Sequence, residues 1–188
     1  MDIFSHGLWG AAAAKLTNKK TQLKINPWKA AWWGVFPDLF AFTPLFIWFF
    51  VKRILNEPIA MPHPKDATLI DGNAPFVYDL AHYLYQYSHS IIIFTLVIAV
   101  IIFLKYLWRK ERSWAALVPW SMAPWLLHIL CDIPTHSYKF YPTPFLWPIS
   151  EFKFDGFSWG QWWFIVANYT ALAIVYLVVW KMKPKTPR

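Results

Sequence analysis

The chain has 188 residues, enough for one domain. It is 57% hydrophobic, 21% aromatic and 15% charged, with a mean hydropathy of +0.32. A soluble domain carries about 25% charge, so the composition argues against a disordered chain and an ordinary soluble enzyme. The single cysteine, Cys131, excludes an intrachain disulfide framework and a multi-cysteine zinc module. The net charge of +8 sits in short clusters beside apolar runs, a pattern of membrane orientation rather than nucleic-acid binding.

Crossing a bilayer takes about 20 mostly apolar residues. In chain order, residues 2–14 are apolar but too short to cross, and predict a helix that enters partway or packs against a bundle. Asp2 and His6 interrupt this stretch and no basic segment precedes it, so it does not read as a signal peptide. Residues 30–51 form a second hydrophobic helix, interrupted by Pro37, Asp38 and Pro44. A loop over 52–81 is rich in proline and charge (Glu57, Pro58, Pro62, Pro64, Lys65, Asp66, Asp71, Gly72) and predicts irregular structure. A third helix covers 82–108, a fourth 113–133 with Pro119 and Pro124 inside it, and a fifth 158–181. A second long loop, 134–157, carries Tyr138, Phe140, Tyr141, Phe145, Trp147 and Phe154, apolar enough to lie on a membrane surface. The fold class is all-α: an integral membrane helical bundle of four to five hydrophobic helices in one domain, 1–188.

Tryptophans gather at the proposed span ends (Trp28, Trp32, Trp33, Trp108, Trp114, Trp159, Trp162, Trp163, Trp180), as in an interfacial belt. Thirteen of the eighteen basic residues fall before the second helix, between the third and fourth, or after the fifth. Arg109, Lys110, Arg112, Lys185 and Arg188 are among them. That asymmetry puts the N-terminus outside, the C-terminus in the cytoplasm and both long loops on the outer side. Lys52 and Arg53 count against it, although a basic pair at a span end can snorkel. The sequon Asn168-Tyr169-Thr170 falls inside a span and is discarded.

Ionisable residues inside spans are costly and usually functional. His128, Asp132 and His136 are spaced four apart, so the first two share a helix face, and Pro134 bends or ends the helix before His136. Imidazoles converging with a carboxylate suit zinc, manganese or iron; otherwise His128 and Asp132 form a hydrogen-bonded pair between helices. Asp79, His82, Gln86 and His89 fall on one helical face. His89 is the candidate ligand, and His82 reads as partly solvated. Asp38 follows Pro37 with no basic partner nearby, and either meets a metal or is protonated and caps a helix restarting there. His6 either binds metal or makes an interhelical hydrogen bond. Asp2 either caps the first helix or holds the tautomer of His6. Gly7 and Gly10 permit close helix approach.

The order Ser5-His6, Gly34-Val35-Phe36-Pro37-Asp38, Ser88-His89-Ser90, His128-xxx-Asp132 running into Thr135-His136-Ser137, and Trp147-Pro148-Ile149-Ser150 resembles the bacterial predicted membrane-bound, metal-dependent hydrolases. That family is similar, at a distance, to zinc-dependent phospholipase C. The similarity spans residues 1–150, and its specificity lies in order and spacing, since each motif is two to five residues long. The resemblance implies His6, Asp38, His89, His128 and Asp132 as metal ligands; His136 matches at a different offset from Asp132. Those phospholipases also use the amino group of an N-terminal tryptophan; Met1 precludes that ligand here unless processing exposes Asp2.

The expected function is metal-dependent hydrolysis of a phosphoester or lipid in the bacterial inner (cell) membrane, with a divalent metal, zinc ahead of manganese or iron. Asp132 would bridge two ions or act as general base, with His136 beside it in the catalytic set. Lys139 and Lys153 either contact a phosphate or are solvated loop lysines. The expected partners are membrane lipid and the substrate, with no nucleic acid. The alternatives are a transporter or scaffold whose polar residues line an ion path, and a haem-binding electron-transfer protein ligated by His89 and His128.

Overall fold

The computed structural model describes residues 1–59, 76–108 and 113–183. Arg109, Lys110, Arg112, Lys185, Arg188 and the 52–81 loop residues Pro62, Pro64, Lys65, Asp66, Asp71 and Gly72 lie outside them. The described residues form seven α-helices: α1 (Ile3–Lys20), α2 (Pro27–Ile54), α3 (Phe76–Ser88), α4 (Ile91–Trp108), α5 (Trp114–Leu117), α6 (Ala123–Thr135) and α7 (Trp162–Lys181). A single 3-10 turn, Trp120–Met122, leads into α6. No strand occurs among the described residues, only one isolated bridge between Ser137 and Phe140. The protein is an all-helical membrane protein, and α2, α4 and α7 are long and apolar enough to cross a bilayer.

Helix α1 runs six residues past its apolar stretch because lysine is a good helix former and Lys19 and Lys20 complement the dipole of the last turn. Asp2 caps its start, accepting from the Ser5 amide at 3.0 Å and from the Tyr169 hydroxyl at 2.9 Å. Helix α2 starts on Asn26, whose Oδ1 accepts from the Trp28 and Lys29 amides, with Pro27 in the first turn. It passes unbroken through Pro37 and Pro44, so no helix restarts at Asp38 and the capping alternative falls. The 52–81 loop is shorter than expected at its far end, where α3 begins at Phe76 with Asp79 in its first turn.

Two expected helices are broken. The third divides at His89-Ser90, where Ser90 Oγ accepts from the Ile92 and Ile93 amides and caps α4. The fourth divides around Pro119, which leaves α6 with 13 residues, below spanning length. Its apolar face instead packs inward. Trp125 and Ile129 join Phe94 and Met122 in a buried cluster against Trp33 and Phe36.

Helices α1 and α2 approach at glycines. A Cβ on Gly34 would stand 2.6 Å from the His6 carbonyl oxygen, and one on Gly10 2.7 Å from that of Ala30. Helix α7 runs parallel to α1: Asp2 meets Tyr169 at one end, and Lys19 donates to the Met182 carbonyl at the other, at 2.7 Å. Between them, Trp9 Nε1 donates to Oδ1 of the buried Asn168 at 2.8 Å.

The segment after α6 has no helix, yet it is fastened down. The amides of Phe157, Trp159 and Gly156 donate to the carbonyls of Pro134, Thr135 and His136, at 3.0, 3.0 and 2.8 Å. These are the acceptors a helix end leaves unpaired. Further along, the Tyr85 hydroxyl donates to the Tyr141 carbonyl at 3.1 Å, the Ile91 amide to that of Phe145 at 3.0 Å, and Ser90 Oγ to that of Trp147.

Candidate metal centre

Four side chains converge from two helices and the α3–α4 junction. Asp38 comes from the middle of α2, His89 from the break, and His128 and Asp132 from one face of α6. His89, His128 and Asp132 are fully buried, and the Asp38 carboxylate keeps a 13% exposed edge.

The tautomers follow from the outer partners. His128 Nδ1 lies 2.7 Å from the Gly34 carbonyl, which can only accept, so Nδ1 carries the hydrogen and neutral Nε2 carries a lone pair. His89 Nδ1 lies 2.9 Å from the Ser88 hydroxyl; that hydroxyl directs its own hydrogen to the Tyr85 carbonyl 3.5 Å away, so it accepts from Nδ1 and leaves the His89 Nε2 a lone pair too. The two Nε2 atoms face each other at 3.0 Å. Asp38 Oδ1 is 3.5 Å from His89 Nε2 and 3.7 Å from His128 Nε2; Asp132 Oδ2 is 3.5 and 3.1 Å from the same atoms. Four electron pairs therefore meet with no hydrogen between them, and the buried Asp132 Oδ2 has no hydrogen-bond partner.

A cation fits that arrangement. Four ligands about 2.0 Å from a tetrahedral ion are roughly 3.3 Å apart, and the five separations above, 3.0–3.7 Å, bracket that edge. The group could hold a metal. Each histidine already presents its other nitrogen to an oxygen, as metal-binding histidines usually do.

The other oxygen of Asp132 looks elsewhere. Oδ1 is 3.0 Å from His6 Nε2 and 3.5 Å from His136 Nδ1, and it pairs with the amino group of Met1. His6 Nε2 makes no hydrogen bond, and its ring stacks on His128 with centroids 3.5 Å apart. The Met1 amine also reaches Thr135 Oγ1 at 3.3 Å. The amine of Met1 is thus a partner of the Asp132 oxygen that faces away from the His89 and His128 nitrogens. His136 is the C-cap of α6, just past Pro134, with its amide on the Asp132 carbonyl. Burial pushes its imidazole pKa down to about 4 against the opposing pull of Asp132, so the ring is neutral at pH 7.

The family model for the YdjM inner membrane protein matches residues 1–186. The chain belongs to the YdjM inner membrane protein family. That membership and the apolar helices make it an inner-membrane protein, and nothing in the YdjM name speaks of hydrolysis, zinc or phospholipase C. No curated protein and no solved structure matches the chain.

Among the candidates read from sequence, His82 stands apart, its Nε2 3.4 Å from the Gln86 amide nitrogen. Sequence reasoning missed the Met1 amine, the Gly34 carbonyl behind His128 and Tyr85, which stacks on His89 with centroids 3.7 Å apart. The Ser88 hydroxyl was readable from its adjacency to His89. Nothing in the sequence marks a backbone carbonyl.

Proposed function

We propose that this chain is a membrane-embedded, metal-dependent hydrolase acting on a phosphoester, with a membrane lipid as substrate, and that zinc sits between Asp38, His89, His128 and Asp132. The observation that carries the reading is the meeting of four lone pairs with no donor, at separations suited to a tetrahedral ion. Imidazole and carboxylate ligands suit zinc, with manganese or iron next, better than magnesium. An ion bound there supplies polarisation of a phosphoryl oxygen and acidification of a water. The two oxygens of Asp132 face different donor sets, which allows the carboxylate to bridge a second ion beside His6 and His136. The Asp38 edge, the one part of the group that is not fully buried, is where a substrate phosphate enters, and the outward orientation of the site follows the charge asymmetry of the loops.

The haem alternative fits poorly. Axial nitrogens on opposite faces of an iron stand roughly 4 Å apart, twice a metal–nitrogen bond, with a macrocycle between them; the His89 and His128 nitrogens are 3.0 Å apart.

Elemental analysis of detergent-purified wild type and His128→Ala, prepared side by side, tests the reading. One or two zinc, manganese or iron ions per chain, with the loss of at least one in the variant, are expected. No ion in either protein after reconstitution overturns it. His136→Ala separates binding from chemistry. It should keep the ion between Asp38 and His128 and slow phosphoester turnover about 10²–10⁴-fold, the worth of a general base. Unchanged turnover would remove His136 from the catalytic set.

A further inference from the structure

Nine to thirteen residues along α1 from His6, and so about 14 Å or more from it, the C-terminal halves of α1 and α7 frame an open cleft of about 480 Å³. Lys15, Asn18, Lys19, Tyr176, Val179 and Trp180 line it. The two helices run parallel, so their lysine-rich ends lie at the same end of the bundle. Residues 3–37 hold five lysines and residues 156–183 two, and neither stretch contains an aspartate or a glutamate. Among the described residues, the cleft is lined by two lysines and no carboxylate.

We propose that this cleft binds the anionic headgroup of a membrane phospholipid, with its phosphate between Lys15 and Lys19. The walls are already formed. The Asn18 side chain is bonded on both sides to the Ile25 backbone, at 2.7 and 2.8 Å, which fixes the turn below α1. The Tyr176 hydroxyl donates to the Leu8 carbonyl at 3.0 Å, which fixes its ring. The Lys15 ammonium stands 4.9 Å from the centre of that ring, held by cation–π attraction. Lys19 spends one of its three N–H groups on the Met182 carbonyl and keeps two to donate. Neither lysine has a carboxylate partner among the described residues.

The apolar surroundings select a lipid over a free anion. Ile174, Leu177, Val178 and Trp180 are exposed on α7 beside the cleft. They give an acyl chain a continuous surface, with Trp180 at the depth where aromatic side chains meet headgroups. Basic pockets between helices at this level are where acidic headgroups bind.

Native mass spectrometry of the detergent-purified chain tests this, with phosphatidylglycerol, phosphatidylethanolamine and inorganic phosphate as separate titrants. Phosphatidylglycerol should bind one per chain and at least about tenfold more tightly than phosphatidylethanolamine, whose own ammonium offsets the phosphate charge and repels the lysines. The K15Q/K19Q variant should lose about 25-fold, fivefold per lysine, equivalent to about 1 kcal/mol each. K15R/K19R should restore binding. K24Q/K29Q, the same charge change outside the cleft, should leave it unaltered. Should the double variant fail to fold, Lys15→Gln alone, at an exposed residue whose ammonium stands over the Tyr176 ring, should still lose about fivefold. Equal weakening by K24Q/K29Q would reduce the effect to diffuse attraction and overturn the site. Inorganic phosphate binding as tightly as the lipid would overturn the lipid as its ligand.

Discussion

Asp132→Asn should abolish both bound metal and phosphoester turnover while leaving the helical fold in place. The carboxylate is fully buried, and its two oxygens address two sets of donors: His89 and His128 on one side, and His6, His136 and the Met1 amine on the other. An amide of the same shape keeps the packing but removes the negative charge, and its NH₂ group puts hydrogens where only lone pairs now converge. Loss of an outer partner of a metal ligand costs about 10–100-fold in affinity, so loss of this central ligand should exceed about a hundredfold. His128→Ala removes a ligand from one side of the carboxylate; Asp132→Asn changes both. Elemental analysis and circular dichroism on the same preparation check it. Full metal content in a folded Asp132→Asn protein would show that the ion is held without the Asp132 carboxylate.

The second large effect is expected from a residue with no side chain. Gly34→Ala should cost about 1–3 kcal/mol of stability, the usual range for overpacking, and disable the site. The added methyl would lie 2.6 Å from the His6 carbonyl oxygen, about 0.8 Å inside the 3.4 Å of ordinary contact. The obstacle is backbone, so α1 must move as a body. The carbonyl of Gly34 also orients His128, so His6 and His128 are displaced together. A misplacement near 1 Å is worth about a hundredfold in rate. A thermal unfolding series on Gly34→Ala, read with metal content and turnover, checks this; a wild-type melting temperature with full activity would contradict it.

Asp38, His89, His128 and Asp132 were legible in the sequence because each is ionisable within or beside an apolar run, where burial is expensive without a partner. The contact of α1 with α2 was half legible: Gly7 and Gly10 marked α1 for close approach, and nothing named α2 as its partner. The helix breaks were misread for a different reason. Residues 91–108 are apolar all round, so hydropathy joins them smoothly to the preceding helix, and only the capping hydroxyl of Ser90 marks the boundary. Around Pro119 the chain stays apolar while the helix stops, because hydropathy registers transfer to lipid and not the amide hydrogen that proline lacks. The Met1 amine was set aside because the resemblance asks for a tryptophan at the terminus, and a chain terminus carries no side-chain signature of its own.

The stretch from His136 to Trp159 is a loop only in the sense that it lacks a helix. Surface connections ordinarily accept added or deleted residues, since their backbone bonds to water. Here the backbone caps α6 through three carbonyls and holds Tyr85 and Ser90, which flank His89. Its length is therefore set by the bundle beneath it. A residue inserted between Tyr141 and Trp147 would shift the register of every bond that follows, and tolerance to such change is confined to the exposed tip around Phe152 and Phe154.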